Sequence, residues 1–158
     1  NQKKISRIAN LIGTDVILGV DPKSSILTSN NLVRKFSKIR SFYILLVRPK
    51  FGCSTKKIYS GVQKFTKPVL SAPKKNMFNL KFLLKQENAL EKIVFLKYPK
   101  LRKIKNFLEN LRKPLFVRMT GSGSVMVAYY QKKQDCELAK VRFKRKFKNY
   151  WCNTSKTI

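Results

Sequence analysis

Histidine is missing from all 158 residues. Its absence removes the commonest general base and the commonest metal ligand together. Carboxylates are scarce too: Asp15, Asp21, Glu87, Glu91, Glu109, Asp135 and Glu137 make up the full set of seven. Any acid–base chemistry must draw on that short set, on a lysine, or on groups outside the chain. The three cysteines, Cys53, Cys136 and Cys152, are odd in number and widely spaced. They predict free thiols in a reducing, cytoplasmic compartment, and no zinc-ligand spacing is present. No apolar run approaches the roughly 18–20 residues that span a bilayer, so no membrane partner is expected. The opening residues "NQKKISRIAN" have no signal-peptide pattern, and the lack of an initiator Met reads as a fragment of a longer chain.

What the sequence has in excess is positive charge. Lys and Arg total 36, for a formal net charge of +29. One reading is an anionic partner, nucleic acid or a membrane surface. The other is compositional: Lys outnumbers Arg about three to one, and the lysines are spread along the whole chain. Base recognition favours the bidentate arginine fork, so a nucleic-acid role is disfavoured. The hydrophobic fraction of 43% and the chain length suit one domain with a real core.

The chain reads as a mixture of strands and helices. Ile5, Ile8, Ala9 and Ile12 predict a helix over 3–12, stopped by Gly13. "TDVILGV" reads as extended, and short strands are expected at 25–28 and 32–39. "SFYILLV", residues 41–47, is the clearest strand, a continuous apolar run suited to a buried central position. Beyond it, Ser54 predicts an N-cap for a helix carrying Ile58, Val62 and Phe65 on one face. Pro68 to Asn76 reads as a loop and 78–85 as a short helix. Leu90, Ile93 and Val94 then mark a helix with Asn88 in cap position. The next helix opens at Pro99 and carries a stripe of Leu101, Ile104, Phe107, Leu108 and Leu111. "LFVRM" and "SVMVAYY" read as strands, 134–147 as a basic helix and "NYWCNTS" as a closing strand. The predicted class is α+β: a split β-α-β, ferredoxin-like unit with helices on one face of an antiparallel sheet. The first 33 residues stand outside that unit, as the tail of a preceding one.

Three short stretches carry the candidate chemistry. In "IGTDV", Asp15 either caps the following segment or stands as a lone carboxylate at the edge of a core, as a general base requires. In "GCSTKKIY", Thr55 opens a helix and Tyr59 sits one turn inside it. Tyr59 either packs on the core or offers a flat face to an aromatic ring. In "RMTGSGSVMVAYY", Thr120, Gly121, Ser122, Gly123 and Ser124 lie between two strands. They form a hairpin turn, or a loop whose backbone must come close to a ligand.

Taken in order, "IGTDV", "GCSTKKIY", "ENALE" at 87–91 and "RMTGSGS" resemble the C-terminal half of the GHMP small-molecule kinases, from about Ile5 to Tyr130. The likeness is to the branch acting on a cytidine diphosphate-linked methylerythritol, in bacterial isoprenoid precursor synthesis. It departs at "DVILG" and at Ala89, where that branch usually has Asp. The resemblance implies a GHMP kinase C-terminal domain over 34–158, preceded over 1–33 by a remnant of the N-terminal domain. It implies a phosphotransferase with an alcohol acceptor, which moves the γ-phosphoryl of ATP to the substrate's 2-hydroxyl. Asp15 would be the catalytic carboxylate, and Tyr59 would stack on cytosine with Thr55 nearby. Thr120, Gly121, Ser122 and Gly123 would line the substrate site. ATP and Mg2+ would be bound mainly by the N-terminal domain, whose catalytic Lys and "PxxxGLGGGSSD" loop do not occur in these residues. The chain alone is therefore expected to turn over no ATP. An apolar surface around Asp15 would favour a homodimer. Alternative readings are a mevalonate- or homoserine-type GHMP kinase, and a basic RNA-binding module.

Overall fold

The computed structural model describes residues 2–13, 16–20, 23–28, 32–37, 39–64 and 72–158. The chain forms two compact units. The first comprises Asn1–Arg40, Thr66–Leu83 and Ile158; the second comprises Ser41–Phe65 and Leu84–Thr157.

Within the first unit, helix α1 (Gln2–Ile12) stops at Gly13, as the apolar spacing predicts. Val16–Gly19 is a 3-10 turn and not the extended run expected of "TDVILGV". Strands β1 (Ser24–Leu27) and β2 (Val33–Phe36) pair antiparallel, β2 being shorter than the predicted 32–39. Lys75–Phe78 forms a second 3-10 turn where part of a loop was expected. Phe36 packs its ring at 5.2 Å from that of Phe78. Helix α3 (Leu80–Lys85) follows, its last two residues belonging to the second unit.

The second unit is built on β3 (Tyr43–Arg48), β4 (Phe116–Met119), β5 (Met126–Tyr130) and β6 (Trp151–Lys156). They form one antiparallel sheet in the order β4-β5-β3-β6, with β3 and β5 central. Alternation along the strands sends Leu45, Val47, Met126, Ala128, Tyr130 and Cys152 to one face, where all are buried. Against that face pack α2 (Thr55–Tyr59), α4 (Glu91–Lys97), α5 (Pro99–Glu109) and α6 (Lys133–Lys146). The predicted α5 stripe is the buried one: Leu101, Ile104 and Leu108 are essentially inaccessible, and Pro99 occupies the first turn. This is the expected split β-α-β arrangement. Helix α2 is shorter than its pattern suggested, because Ser60 caps it and Gly61 follows, two poor helix formers in succession. Phe65 lies outside the described residues.

Helix α6 contributes Cys136, Ala139 and Phe143 to the core. Burial pushes the Cys136 thiol from its ordinary 9.0 up to about 11, with Glu137 adding to the shift and Lys140 opposing it. Because the folded value is the higher, this contribution to stability is intact below pH 9.0. It is lost as pH rises through about 11. Urea midpoints are expected to fall across that window, and Cys136→Ala should flatten part of the fall.

Candidate active site

The glycine loop grows directly out of the β4–β5 register. Thr120 N–H bonds Val125 C=O at 2.9 Å, and Gly123 N–H bonds Thr120 C=O at 2.9 Å, closing a tight turn. Gly121 (φ +48°) and Gly123 (φ +88°) both lie in the left-handed region that side chains avoid. A Cβ on Gly121 would meet open space, but one on Gly123 would sit 2.9 Å from Met119 Sδ and 3.1 Å from Cys53 Sγ. The two glycines therefore serve different ends. The first permits the turn, and the second also permits close seating of the loop on the β3–α2 connection. Ser124, buried beneath, donates to Phe51 C=O at 2.9 Å and ties the loop to that connection again.

The same register turns the N–H and C=O of Met119 away from β5, because antiparallel pairs alternate and Thr120 takes the inward bond. Both groups are met by side chains. Glu91 Oε1 accepts from Met119 N–H at 2.7 Å. Asn88 Nδ2 donates to Met119 C=O at 3.0 Å and to Gly121 C=O at 2.8 Å. Asn88 Oδ1 accepts from Leu90 N–H at 3.0 Å, so only one orientation of the amide satisfies all three contacts. Glu91 is held in turn by Lys105, whose Nζ lies 2.5 Å from Oε2.

Helix α2 arrives at the loop from the other side. Ser54 caps it, accepting from Lys57 N–H at 3.4 Å, as expected. Thr55 Oγ1 and Ser122 Oγ share a hydrogen bond of 2.9 Å across 67 residues of chain. Tyr59, four positions on and so on the same helix face, keeps 52% of its surface exposed. Thr55, Ser122 and the glycine loop are thus brought together, with Tyr59 one turn away. Asp15 lies outside the described residues. Among those residues, no group of three His, Cys, Asp or Glu stands where a metal ion could be held. No helix there is long and apolar enough to cross a membrane.

Sequence reasoning missed Asn88 and Glu91 as loop-holding residues. It gave Asn88 a cap role, which the Leu90 contact partly fulfils, and gave Glu91 none. Their spacing was the available signal, since residues three apart share a side of the chain entering a helix. Both also border a cleft of about 830 Å3 between α5, the 84–92 segment and the outer edge of β4. None of Thr55, Tyr59 and Thr120–Gly123 lines that cleft.

Residues 64–149 match the family described as GHMP kinases C terminal. The chain belongs to the GHMP kinases. Among relatives of this family, the chain is 50% identical over 152 residues to the 4-diphosphocytidyl-2-C-methyl-D-erythritol kinase of Pelagibacter ubique (strain HTCC1062), covering 96% of this chain and 54% of that protein. The kinase of the same name from Clostridium tetani (strain Massachusetts / E88) is 29% identical over 167 residues, covering 100% of this chain and 58% of its own. The chain thus spans little more than half the length of these curated relatives. Its fold resembles a crystal structure of 4-(cytidine 5'-diphospho)-2C-methyl-D-erythritol kinase, with TM-score 0.73 and 17% identity, over 98% of this chain and 57% of that one. Homoserine kinase from Cytophaga hutchinsonii ATCC 33406 follows at TM-score 0.66 and 12% identity, over 90% and 50%. The likeness to these two structures is one of fold.

Proposed function

We propose that the chain is the acceptor-side portion of a cytoplasmic ATP-dependent kinase that phosphorylates the 2-hydroxyl of 4-diphosphocytidyl-2-C-methyl-D-erythritol. In this reading residues 1–33 continue an N-terminal domain and 34–158 form the C-terminal domain. The relatives' names supply the substrate. The observation that carries the reading is the Thr55–Ser122 bond, which joins the cap of α2 to the glycine loop. It sets two small hydroxyls and an exposed aromatic ring along one border.

Each part then has a task. Tyr59 stacks on the cytosine ring, and stacking of this kind is worth about 1–3 kcal/mol per base. Thr55 and Ser122 present hydroxyls that can bond a sugar or phosphate oxygen. Gly121 and Gly123 keep side chains out of the approach to the loop. Asp15 accepts the proton of the attacking hydroxyl and holds that oxygen in line with phosphorus. The positive field of the chain suits a diphosphate-bearing substrate. ATP and Mg2+ are assigned mainly to the N-terminal domain. A bound Mg2+ would neutralise charge developing on the transferred phosphoryl group, and no residue described here is given that role.

The test is calorimetric titration of the 158-residue chain with cytidine diphosphate. Tyr59→Ala is expected to weaken binding about tenfold, within the usual range for a lost stack. Tyr59→Phe should bind like the parent. Equal affinity for the parent and Tyr59→Ala would remove Tyr59 from the substrate site.

A further inference from the structure

The chain's single tryptophan is exposed. Trp151 opens the edge strand β6 and keeps 49% of its surface accessible. Cys152 beside it points into the core, so alternation turns Trp151 to the opposite face of the sheet. Its partner across the register is Arg48, also exposed. The turn that delivers it is braced by aromatic packing: Phe143, Phe147 and Tyr150 stack in sequence at 4.8 and 5.3 Å just ahead of β6.

Besides Arg48, the segment that leads into β6 is rich in cations. Between Leu138 and Ile158 there are seven Lys or Arg residues and no carboxylate. Lys140 Nζ reaches Asn153 Oδ1 at 3.3 Å, which places it at the β6 edge. Lys144 follows Lys140 by four residues on α6, and so lies on the same side of that helix. Lys148 is exposed in the turn before Trp151. The nearest acid on α6, Glu137, is engaged by Thr154 Oγ1 at 2.7 Å.

We propose that this border, Trp151 with Arg48, Lys140, Lys144 and Lys148, binds single-stranded nucleic acid. One base stacks on the indole and neighbouring phosphates lie on the cations. Lysine spread along a chain gives no such site by itself; an exposed ring paired across the strands with an arginine, on a cation-rich border, does. The strand must be single, because only an unpaired base can leave its neighbours to cover the ring. A membrane surface fits less well, since lipid contact needs several apolar side chains in one plane. Here Asn153 and Ser155 occupy the positions after Trp151 on that face. The proposal does not rest on the kinase reading.

Because Trp151 is the only tryptophan, its emission reports on this border directly. Titrating the 158-residue chain with oligothymidylate is expected to quench that emission, and heparin at equal charge should leave it nearly unchanged. By anisotropy of labelled oligonucleotide, Trp151→Ala should bind about tenfold more weakly, and Trp151→Phe close to the parent. Lys144→Glu should weaken binding and make log K fall less steeply with log salt. Binding that leaves the emission unmoved, or equal affinity for Trp151→Ala and the parent, would overturn the proposal. So would a response to phosphatidylglycerol vesicles but not to oligothymidylate.

Discussion

Gly123→Ala is expected to lower folding stability by about 3 kcal/mol, combining left-handed backbone strain of about 1–2 kcal/mol with overpacking of about 1–3 kcal/mol. Its φ of +88° is strained for any side chain. The new Cβ would also lie 2.9 Å from Met119 Sδ, and Met119 is 2% exposed, so the sulfur has nowhere to go. Cys53 Sγ blocks the other side at 3.1 Å. Gly121→Ala is the control. It carries the strain alone, since no atom lies within 4 Å, and should cost about 1–2 kcal/mol. Urea denaturation of the two variants separates the terms. Equal losses would mean that the loop is not seated on Met119 and Cys53.

Glu91→Ala is expected to cost a further 3 kcal/mol or so, through two effects of different kind. It leaves the Met119 N–H without an acceptor in a nearly closed place, a penalty of about 1–3 kcal/mol. It also strips Lys105 of its close partner, leaving Glu109 at 3.8 Å and the Phe95 ring at 5.7 Å. The Lys105–Glu91 pair is 23% and 12% exposed, so solvent screens it little and its loss matters more than that of a surface pair. Glu91→Gln keeps an acceptor for Met119 and loses only the charge, so it should recover about half of the stability. Amide exchange supplies the local readout. In Glu91→Ala the Met119 N–H should lose protection relative to Leu45 in the sheet centre. Unchanged protection at Met119 would show that the carboxylate does not hold the loop.

The elements that could be read in advance are those whose partners lie within one turn or along one strand. The apolar run of β3, the Leu101–Leu108 stripe of α5 and the hairpin around the glycines each announce themselves by local period. Val16–Gly19 could not be read that way: four apolar-rich residues suit a strand or a tight turn equally, and the 3-10 form ends on a bond from Val20 N–H to Ile17 C=O at 3.4 Å. The extent of α2 depended on how much a Ser-Gly pair interrupts an apolar pattern that runs past it. At the candidate site, residue types and order pointed to Thr55, Tyr59 and the loop through a family likeness. The bonds made by Asn88 and Glu91 span 28 to 33 residues, beyond the reach of any periodicity. Asp15, the carboxylate in the proposed mechanism, lies outside the described residues.

Side chains standing in for a fifth strand have a consequence for the protein in crowded solution. Asn88 and Glu91 occupy the outward groups of Met119 on one border of the sheet, and Asn153 Oδ1 takes the Thr154 N–H on the other at 3.0 Å. A foreign strand arriving at either border finds those three groups already taken, so it gains less by pairing there.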